Sequence, residues 1–262
     1  MSKACQLFSG SSGNSIWIAS GETKILVDAG VSAKRNEQAL MNLGESAGEL
    51  SAILVTHEHA DHISGVRVLA SRYGIPVLAD SNVLLKMYED GKLNDKVITA
   101  PIEATMSLDG VEIKPFALSH DSVACYGYRF NLPDGRSVAV CTDTGYITAA
   151  AKDALTGCDL VFLESNHEVM MLENGPYPYL LKQRILSRKG HLSNSDCAAY
   201  ATELVSAGTT RLVLSHLSRE NNFPEIARQT TVAALTAAGF KENTDYRLRV
   251  SAPENRERPI LL

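Results

Sequence analysis

Thr56-His57-Glu58-His59-Ala60-Asp61-His62 decides how the rest of this 262-residue chain reads. Three imidazoles fall within one short run, in a chain that has seven histidines in all. Imidazole nitrogen and carboxylate oxygen are the usual protein ligands of zinc and similar divalent ions. Just upstream, Leu50-Ser51-Ala52-Ile53-Leu54-Val55 reads as a buried strand bounded by polar residues. Just downstream, Ile63–Arg72 carries helical periodicity. The cluster therefore lies where a strand hands over to a helix. The strand end can aim His57 and His59 at one ion. Asp61 and His62, at the helix start, point elsewhere and suit a second ion nearby. A purely structural cluster would have to find a hydrogen-bond partner for each buried polar group, and ligation accounts for the run more simply.

Composition narrows the class. The chain is long enough for one large domain or two small ones. Its apolar fraction of 45% is that of an ordinary globular protein. A net charge of −5 gives no global basic field to attract nucleic acid, which leaves only a local patch for that role. The five cysteines (Cys5, Cys125, Cys141, Cys158, Cys197) are odd in number, scattered and without a CxxC pair. They read as reduced, buried thiols of a cytoplasmic protein. The N-terminus lacks the apolar core of a signal peptide, and no run approaches the ~18 apolar residues of a membrane span.

Strands and helices alternate along the chain without a linker or a low-complexity segment. Short strands are expected at 4–8, 15–20 and 24–28, then a helix at 32–43, a strand at 52–56, a helix at 62–73, a strand at 76–79 and a helix at 81–90. Residues 96–142 are strand-rich, with strands at Val111–Leu118, Ala124–Asn131 and Ser137–Cys141. Further strands are expected at Asp159–Glu164, Leu212–Ser215 and Tyr246–Ser251, and helices at 176–189, 194–207 and 224–238. This pattern predicts two packed sheets with helices outside, as one α/β domain over residues 1–262.

A two-metal site needs more ligands, and strand ends should supply them. Three apolar runs stop at a ligand-capable residue: Phe116-Ala117-Leu118-Ser119-His120, Val138-Ala139-Val140-Cys141-Thr142-Asp143 and Leu212-Val213-Leu214-Ser215-His216. With these three added to the first cluster, the chain resembles the metallo-β-lactamase superfamily along essentially its whole length. That resemblance implies an αββα four-layer sandwich with the metals at one edge. It implies one ion on His57, His59 and His120, another on Asp61, His62 and His216, and Asp143 bridging them. The ions would be Zn²⁺ or Mn²⁺, with Fe²⁺ also able to fill the set. They would activate a water for in-line attack and stabilise the developing charge.

Branch-specific features follow. Secreted lactamases of the superfamily typically carry a cysteine where this chain has Asp143. Glyoxalase II-type thioesterases usually have Pro-Gly-His-Thr where this chain has Leu118-Ser119-His120-Asp121. The interval from Asp143 to His216 is too short for the inserted domain of the β-CASP nucleases. Ser9–Ser15, Glu164-Ser165-Asn166-His167-Glu168 and Lys182-Gln183-Arg184-Ile185 with Gly190-His191-Leu192-Ser193-Asn194 are similar to the small bacterial YycJ-like (WalJ) group. That similarity implies a 5′→3′ DNA exonuclease, with DNA favoured over RNA.

The remaining candidates have local physical grounds. His191 precedes a helix N-terminus capped by Ser193, where anions are favoured, and it can contact a phosphate oxygen or protonate a leaving oxygen. Asp61, Asp143 and His191 are thus the expected catalytic residues. Ser11 and Asn14 lie in a small polar loop whose N–H groups could cradle phosphate. His167, Lys182 and Arg184 are further candidate substrate contacts, with Arg188 and Lys189 extending the basic stretch. Asp121 is a candidate to orient His120. Met170-Met171-Leu172 reads as packing or a lid. Aromatic residues are few, and no stacking platform is evident. Two rival classes stand beside the nuclease. One is a metal hydrolase of a thioester, lactone or cyclic phosphodiester, which needs a closed neutral pocket. The other is a non-enzymatic or redox member, against which the intact first motif argues.

Overall fold

The computed structural model describes every residue of the chain except Glu103. The first sheet is built from β1 (Lys3–Phe8), β2 (Ser15–Ser20), β3 (Thr23–Val27), β4 (Ala52–Leu54), β5 (Val77–Ala79) and β6 (Thr99–Pro101). The second contains β7 (Met106–Leu108), β8 (Val111–Ala117), β9 (Tyr126–Asn131), β10 (Ser137–Cys141), β11 (Leu160–Glu164), β12 (Arg211–Ser215) and β13 (Arg247–Val250). A last short strand, β14 (Ile260–Leu261), returns to pair with β1. The two sheets have the orders β14-β1-β2-β3-β4-β5-β6 and β13-β12-β11-β10-β9-β8-β7. Each sheet joins an antiparallel part to a parallel part: β3 to β6 run parallel in the first, β10 to β13 in the second.

Strand alternation makes the layers. In β4, Ala52 and Leu54 face the second sheet, while Ile53 faces the first helical layer. In β11, Leu160 and Phe162 face the first sheet, and Val161 and Leu163 face the other helices. β4, β10 and β11 are buried on both faces and accordingly read as continuous apolar runs. The outer layer over the first sheet contains α1 (Ala33–Asn42), α2 (Ala60–Ile63), α3 (Val66–Tyr73) and α4 (Ser81–Glu89). The chain then adds α5 (Ala149–Leu155), α6 (Val169–Asn174), α7 (Tyr179–Leu186), α8 (Asn194–Ser206) and α9 (Pro224–Ala237). Of these, α5, α8 and α9 pack Leu155, Leu204 and Leu235 over the second sheet. Each fully buried leucine contributes roughly 1.5–3 kcal/mol. The result is the four-layer αββα sandwich that the resemblance implies.

Several expected elements differ in extent. The helix expected over 62–73 is two helices, because Gly65 packs against the backbone of the β3–α1 connection. Its N–H donates to Ala29 O at 2.7 Å, and a β-carbon there would lie 2.3 Å from Val31 O. The helix expected over 176–189 shrinks to α7, with Pro178 as its N-cap. Elements α5, α6, β6 and β7 were not placed by the sequence. α6 absorbs Met170-Met171-Leu172, with Leu172 buried and Met170 exposed. The predicted cap of α8 is present, Ser193 Oγ accepting from Asp196 N at 3.1 Å.

Candidate metal centre

The carboxyl ends of the parallel strands in both sheets converge at one edge of the sandwich. β4 delivers His57 and His59, and α2 adds Asp61 and His62. The turns after β8, β10 and β12 deliver His120, Asp143 and His216. Asp143 and His216 adopt left-handed backbone conformations (φ 64° and 58°), as does Asp28 just after β3 (φ 60°). Such conformations cost on the order of 1–3 kcal/mol each and persist where surrounding structure enforces them.

Four groups of potential ligand atoms form there, each within 4.8 Å of one another: His57, His59 and His120; Asp61, His62 and His216; His57, His62 and Asp143; and Asp143, Glu164, His191 and His216. The rings of His57, His59 and His120 lie 4.6–5.1 Å apart. In the second group, Asp61 Oδ2 is 3.5 Å from His62 Nε2 and 3.7 Å from His216 Nε2. Asp143 Oδ2 lies 3.3 Å from His62 Nε2, so this carboxylate stands where the two triads meet.

Hydrogen bonding selects which ring nitrogens face the centre. His62 Nδ1 is 2.7 Å from Asp28 Oδ2. His216 Nδ1 is 2.9 Å from Glu164 Oε1. His120 Nδ1 is 3.1 Å from Gly190 O. Carboxylates and carbonyls only accept, so these Nδ1 atoms carry hydrogen. His57 Nδ1 lies 3.0 Å from Thr56 Oγ1, whose own hydrogen goes to Asp28 Oδ2. Nε2 of all four rings is thereby turned to the interior, where that of His62 also meets Asn14 Nδ2 at 3.0 Å. His57 Nε2, His216 Nε2 and Asp143 Oδ2 are buried without any hydrogen-bond partner. Three buried orphan acceptors pointing at one place are expensive unless something electropositive lies between them. The donor set of five imidazoles and two carboxylates fits divalent ions of the zinc type.

The charges around this centre are strongly coupled. Burial pushes Asp143 upward, yet His216 and His62 hold it well below the usual carboxylate range. Burial pushes His62 down, but Asp143, Asp28 and Asp61 carry it well above its ordinary value. His216 is likewise raised to about 10, burial being outweighed by Asp143, Asp61 and Glu164. His57 and His120 are lowered, by burial above all.

Two residues central to this arrangement escaped the sequence reading. Glu164, fully buried at the end of β11, takes four hydrogen bonds. Oε1 accepts from His191 Nδ1 at 2.7 Å and from His216 Nδ1. Oε2 accepts from Thr144 N at 2.9 Å and Leu192 N at 3.2 Å. Burial raises its pKa, but His191 and His216 bring it down to about 2. Asp28 accepts from Thr56 N at 2.8 Å as well as from Thr56 Oγ1 and His62. Both follow the same signal as the predicted ligands, an apolar strand stopping at a carboxylate.

The other predicted residues are placed unevenly. His191 is half-buried, its ring 5.0 Å from that of His120 and 5.2 Å from that of His216. Ser11 is exposed. Asn14 is buried instead: its Nδ2 lies 3.0 Å from His62 Nε2 and 3.3 Å from Asp61 Oδ2, and its Oδ1 accepts from Gly10 N at 2.9 Å. It stands behind the ligands and ties the loop to them. His167 is buried too, with Nδ1 unpartnered and its pKa lowered to about 4 by burial. Surface contact with a polymer is closed to it. Lys182 Nζ donates to Glu173 O at 2.8 Å. Arg184 pairs with Asp121, whose other oxygen lies 3.3 Å from His120 Nε2. Gly190 O, rather than Asp121, therefore fixes the orientation of His120.

Residues 23–217 match the family model described as the beta-lactamase superfamily domain. The chain is 38% identical to the exodeoxyribonuclease WalJ of Streptococcus pneumoniae, over 95% of this chain and 93% of that protein. It is 35% identical to the exodeoxyribonuclease YycJ of Bacillus anthracis, over 95% and 94%. Its fold matches the metallo-beta-lactamase fold protein YhfI of Bacillus subtilis with a TM-score of 0.70, over 97% and 98% of the two chains at 19% identity. Fold, strand-end chemistry and sequence agree, and the chain belongs to the metallo-β-lactamase superfamily, in its WalJ and YycJ branch.

Proposed function

We propose that residues 1–262 act as one hydrolase domain that holds two divalent ions and cleaves phosphodiester bonds from the 5′ end of DNA. The observation that carries the reading is the convergence of buried, unpartnered His57 Nε2, His216 Nε2 and Asp143 Oδ2 between two ligand triads. The near full-length similarity to exodeoxyribonucleases supports the choice of polymer. His57, His59 and His120 would hold one ion, Asp61, His62 and His216 the other, and Asp143 both. Zn²⁺ or Mn²⁺ suits the set, and Fe²⁺ can also enter it. When bound, the ions supply Lewis-acid polarisation of the phosphate and an acidified water.

The chain's own residues account for orientation and proton traffic. Asp28 and Glu164 lock His62 and His216 with Nε2 inward, and Gly190 O does so for His120. Glu164 also occupies Nδ1 of His191, so Nε2 is the atom that a substrate can reach. The Glu164 carboxylate fixes the orientation of that ring through Nδ1, which places Nε2 for proton exchange with a leaving oxygen. No helix among the described residues is long and apolar enough to cross a membrane. All five cysteines are free and buried, which supports a place in the reducing cytoplasm.

The test is to strip the protein of metal, resupply Mn²⁺ or Zn²⁺, and incubate it with end-labelled DNA and RNA, single- and double-stranded. Asp61→Ala runs in parallel. Progressive shortening of DNA from the 5′ end, absent in the variant, is the expected result. A protein that holds two ions yet leaves every polymer intact points to a small ester or cyclic phosphodiester instead.

A further inference from the structure

Between the candidate proton donor and the second sheet, the chain makes an excursion with unusual surface chemistry. From Asn174 to Ser195 there is no carboxylate, although the whole chain carries a net charge of −5. Four cations fall in this stretch: Lys182, Arg184, Arg188 and Lys189. Its helix α7 contributes no buried residue, and large apolar side chains stand in solvent: Tyr179 is 72% exposed and Leu180 79%. Isolated exposed apolar residues need no explanation. Two of this size, adjacent on a basic helix, do.

The placement supplies the explanation. Leu180 and Arg184 are one turn apart on one face of α7, and Arg184 reaches Asp121, next to the candidate ligand His120. The C-terminal end of the excursion is fastened to the ligand loops. Ser119 Oγ donates to Arg188 O at 2.8 Å, and Gly145 packs so closely that a β-carbon would lie 2.4 Å from Arg188 C. The Arg188 guanidinium lies over the Tyr146 ring at 4.1 Å, and His191 N donates to Ile185 O at 3.0 Å. A rigid base thus sets cations at the rim of the centre, with an aromatic and an aliphatic side chain beyond them.

We propose that Tyr179 and Leu180 on α7 form a stacking surface for unpaired bases of the nucleic-acid strand entering the centre, with the neighbouring cations on its phosphates. This rests on the phosphodiesterase reading above and adds that bases next to the cleaved end are held unpaired. Exposed aromatic faces beside cations are how single strands are bound without regard to sequence. A second copy of the chain fits less well, because a two-fold contact would bring the same carboxylate-free, basic surface against itself.

The test uses the full-length protein in EDTA, so that binding is read without cleavage, and 3′-fluorescent twelve-residue oligomers in an anisotropy titration. One oligomer is oligo-dT, and the other has the same phosphates but abasic sugars. Tighter binding of oligo-dT is expected. Tyr179→Ala with Leu180→Ala should weaken oligo-dT binding by about 5- to 150-fold, the range for loss of one stacked base, and leave the abasic oligomer unchanged. Tyr179→Phe should keep the preference. Equal binding of the two oligomers by the unaltered protein overturns the proposal, as does an equal loss on both in the double variant. A double variant that loses dimers in light scattering while binding oligo-dT normally also overturns it and makes the face a contact between copies. If any of these overturning results is found while DNA is still shortened with metal present, the inference falls and the function stands. If the protein neither binds nor cleaves any polymer, both fall.

Discussion

Replacing Glu164 by glutamine keeps the shape of the side chain and removes its charge. Burial pulls the Glu164 pKa upward, yet His191 and His216 bring it from the usual 4.5 to about 2. At about 1.4 kcal/mol per pH unit, that is roughly 3 kcal/mol of stability at neutral pH. A count of donors gives a similar figure. Four N–H groups point at Glu164, from His191, His216, Thr144 and Leu192. Glutamine can turn its oxygen to only one pair, and its amide then faces the other pair. Two unmet buried donors cost roughly 1–3 kcal/mol each. For a chain of this size about 3 kcal/mol lowers the melting temperature by about 6–12 °C. Because Glu164 also orients His216, zinc affinity should fall about 10- to 100-fold. The sign with pH is fixed. A depressed folded-state carboxylate stabilises fully above its unfolded pKa near 4.5, and the contribution fades as pH falls toward about 2. The gap in melting temperature between Glu164→Gln and the unaltered protein should therefore narrow below pH ~4.5. Calorimetry in EDTA across pH, with a chelator competition for zinc at neutral pH, measures both quantities. A variant that melts with the unaltered protein and binds zinc equally well would refute the role assigned to this carboxylate.

Three other perturbations probe different parts of the centre. Asp143→Ala should abolish binding of at least one ion, read by elemental analysis, and lower activity by more than about a hundredfold, beyond the range for an outer residue. Gly30→Ala places a β-carbon 1.6 Å from Asp61 O and 2.5 Å from Asn14 N. It should cost about 1–3 kcal/mol in denaturant unfolding and weaken metal binding through Asp61, whereas unchanged zinc affinity would show that the loop gives way elsewhere. His167, held near pKa 4 by burial, should make the protein lose stability as pH falls from about 6.5 to 4, by up to about 3 kcal/mol. In His167→Asn that slope should flatten, and an unchanged slope would assign it to other groups.

How much of this was legible depends on what each signal encodes. The run His57–His62 names its chemistry because its residue types have few other uses so close together. His120, Asp143 and His216 were found by one rule, an apolar strand that stops at a ligand-capable residue. Val27-Asp28 and Leu163-Glu164 obey the same rule. They went unread because a carboxylate after a strand is also an ordinary solvated turn, and only the fold shows that both are buried. Asn14 and His167 went the other way. Polar loop residues look available to substrate, and the structure buries both, with Asn14 tying its loop to the ligands. The run Tyr179-Leu180-Leu181 is apolar enough to suggest a buried face, but α7 buries none of its residues. Those exposed side chains are invisible to a count of aromatic residues.

The shared oxygen of Glu164 has a consequence for reading any mutant of this centre. Oε1 serves His216, a candidate ligand, and His191, a candidate proton donor, at 2.9 and 2.7 Å. A loss of activity in Glu164→Gln therefore mixes weakened metal binding with a weakened acid, and the two do not add independently. His191→Ala separates them. It removes the acid while leaving Glu164 three of its four donors, including His216. If protonation of the leaving oxygen is its role, that variant keeps near-normal zinc affinity and loses rate on substrates with poor leaving groups. An activated aryl phosphodiester, which needs no proton, should then be cleaved almost as fast as by the unaltered protein. Equal losses on both substrates would assign His191 to phosphate binding instead.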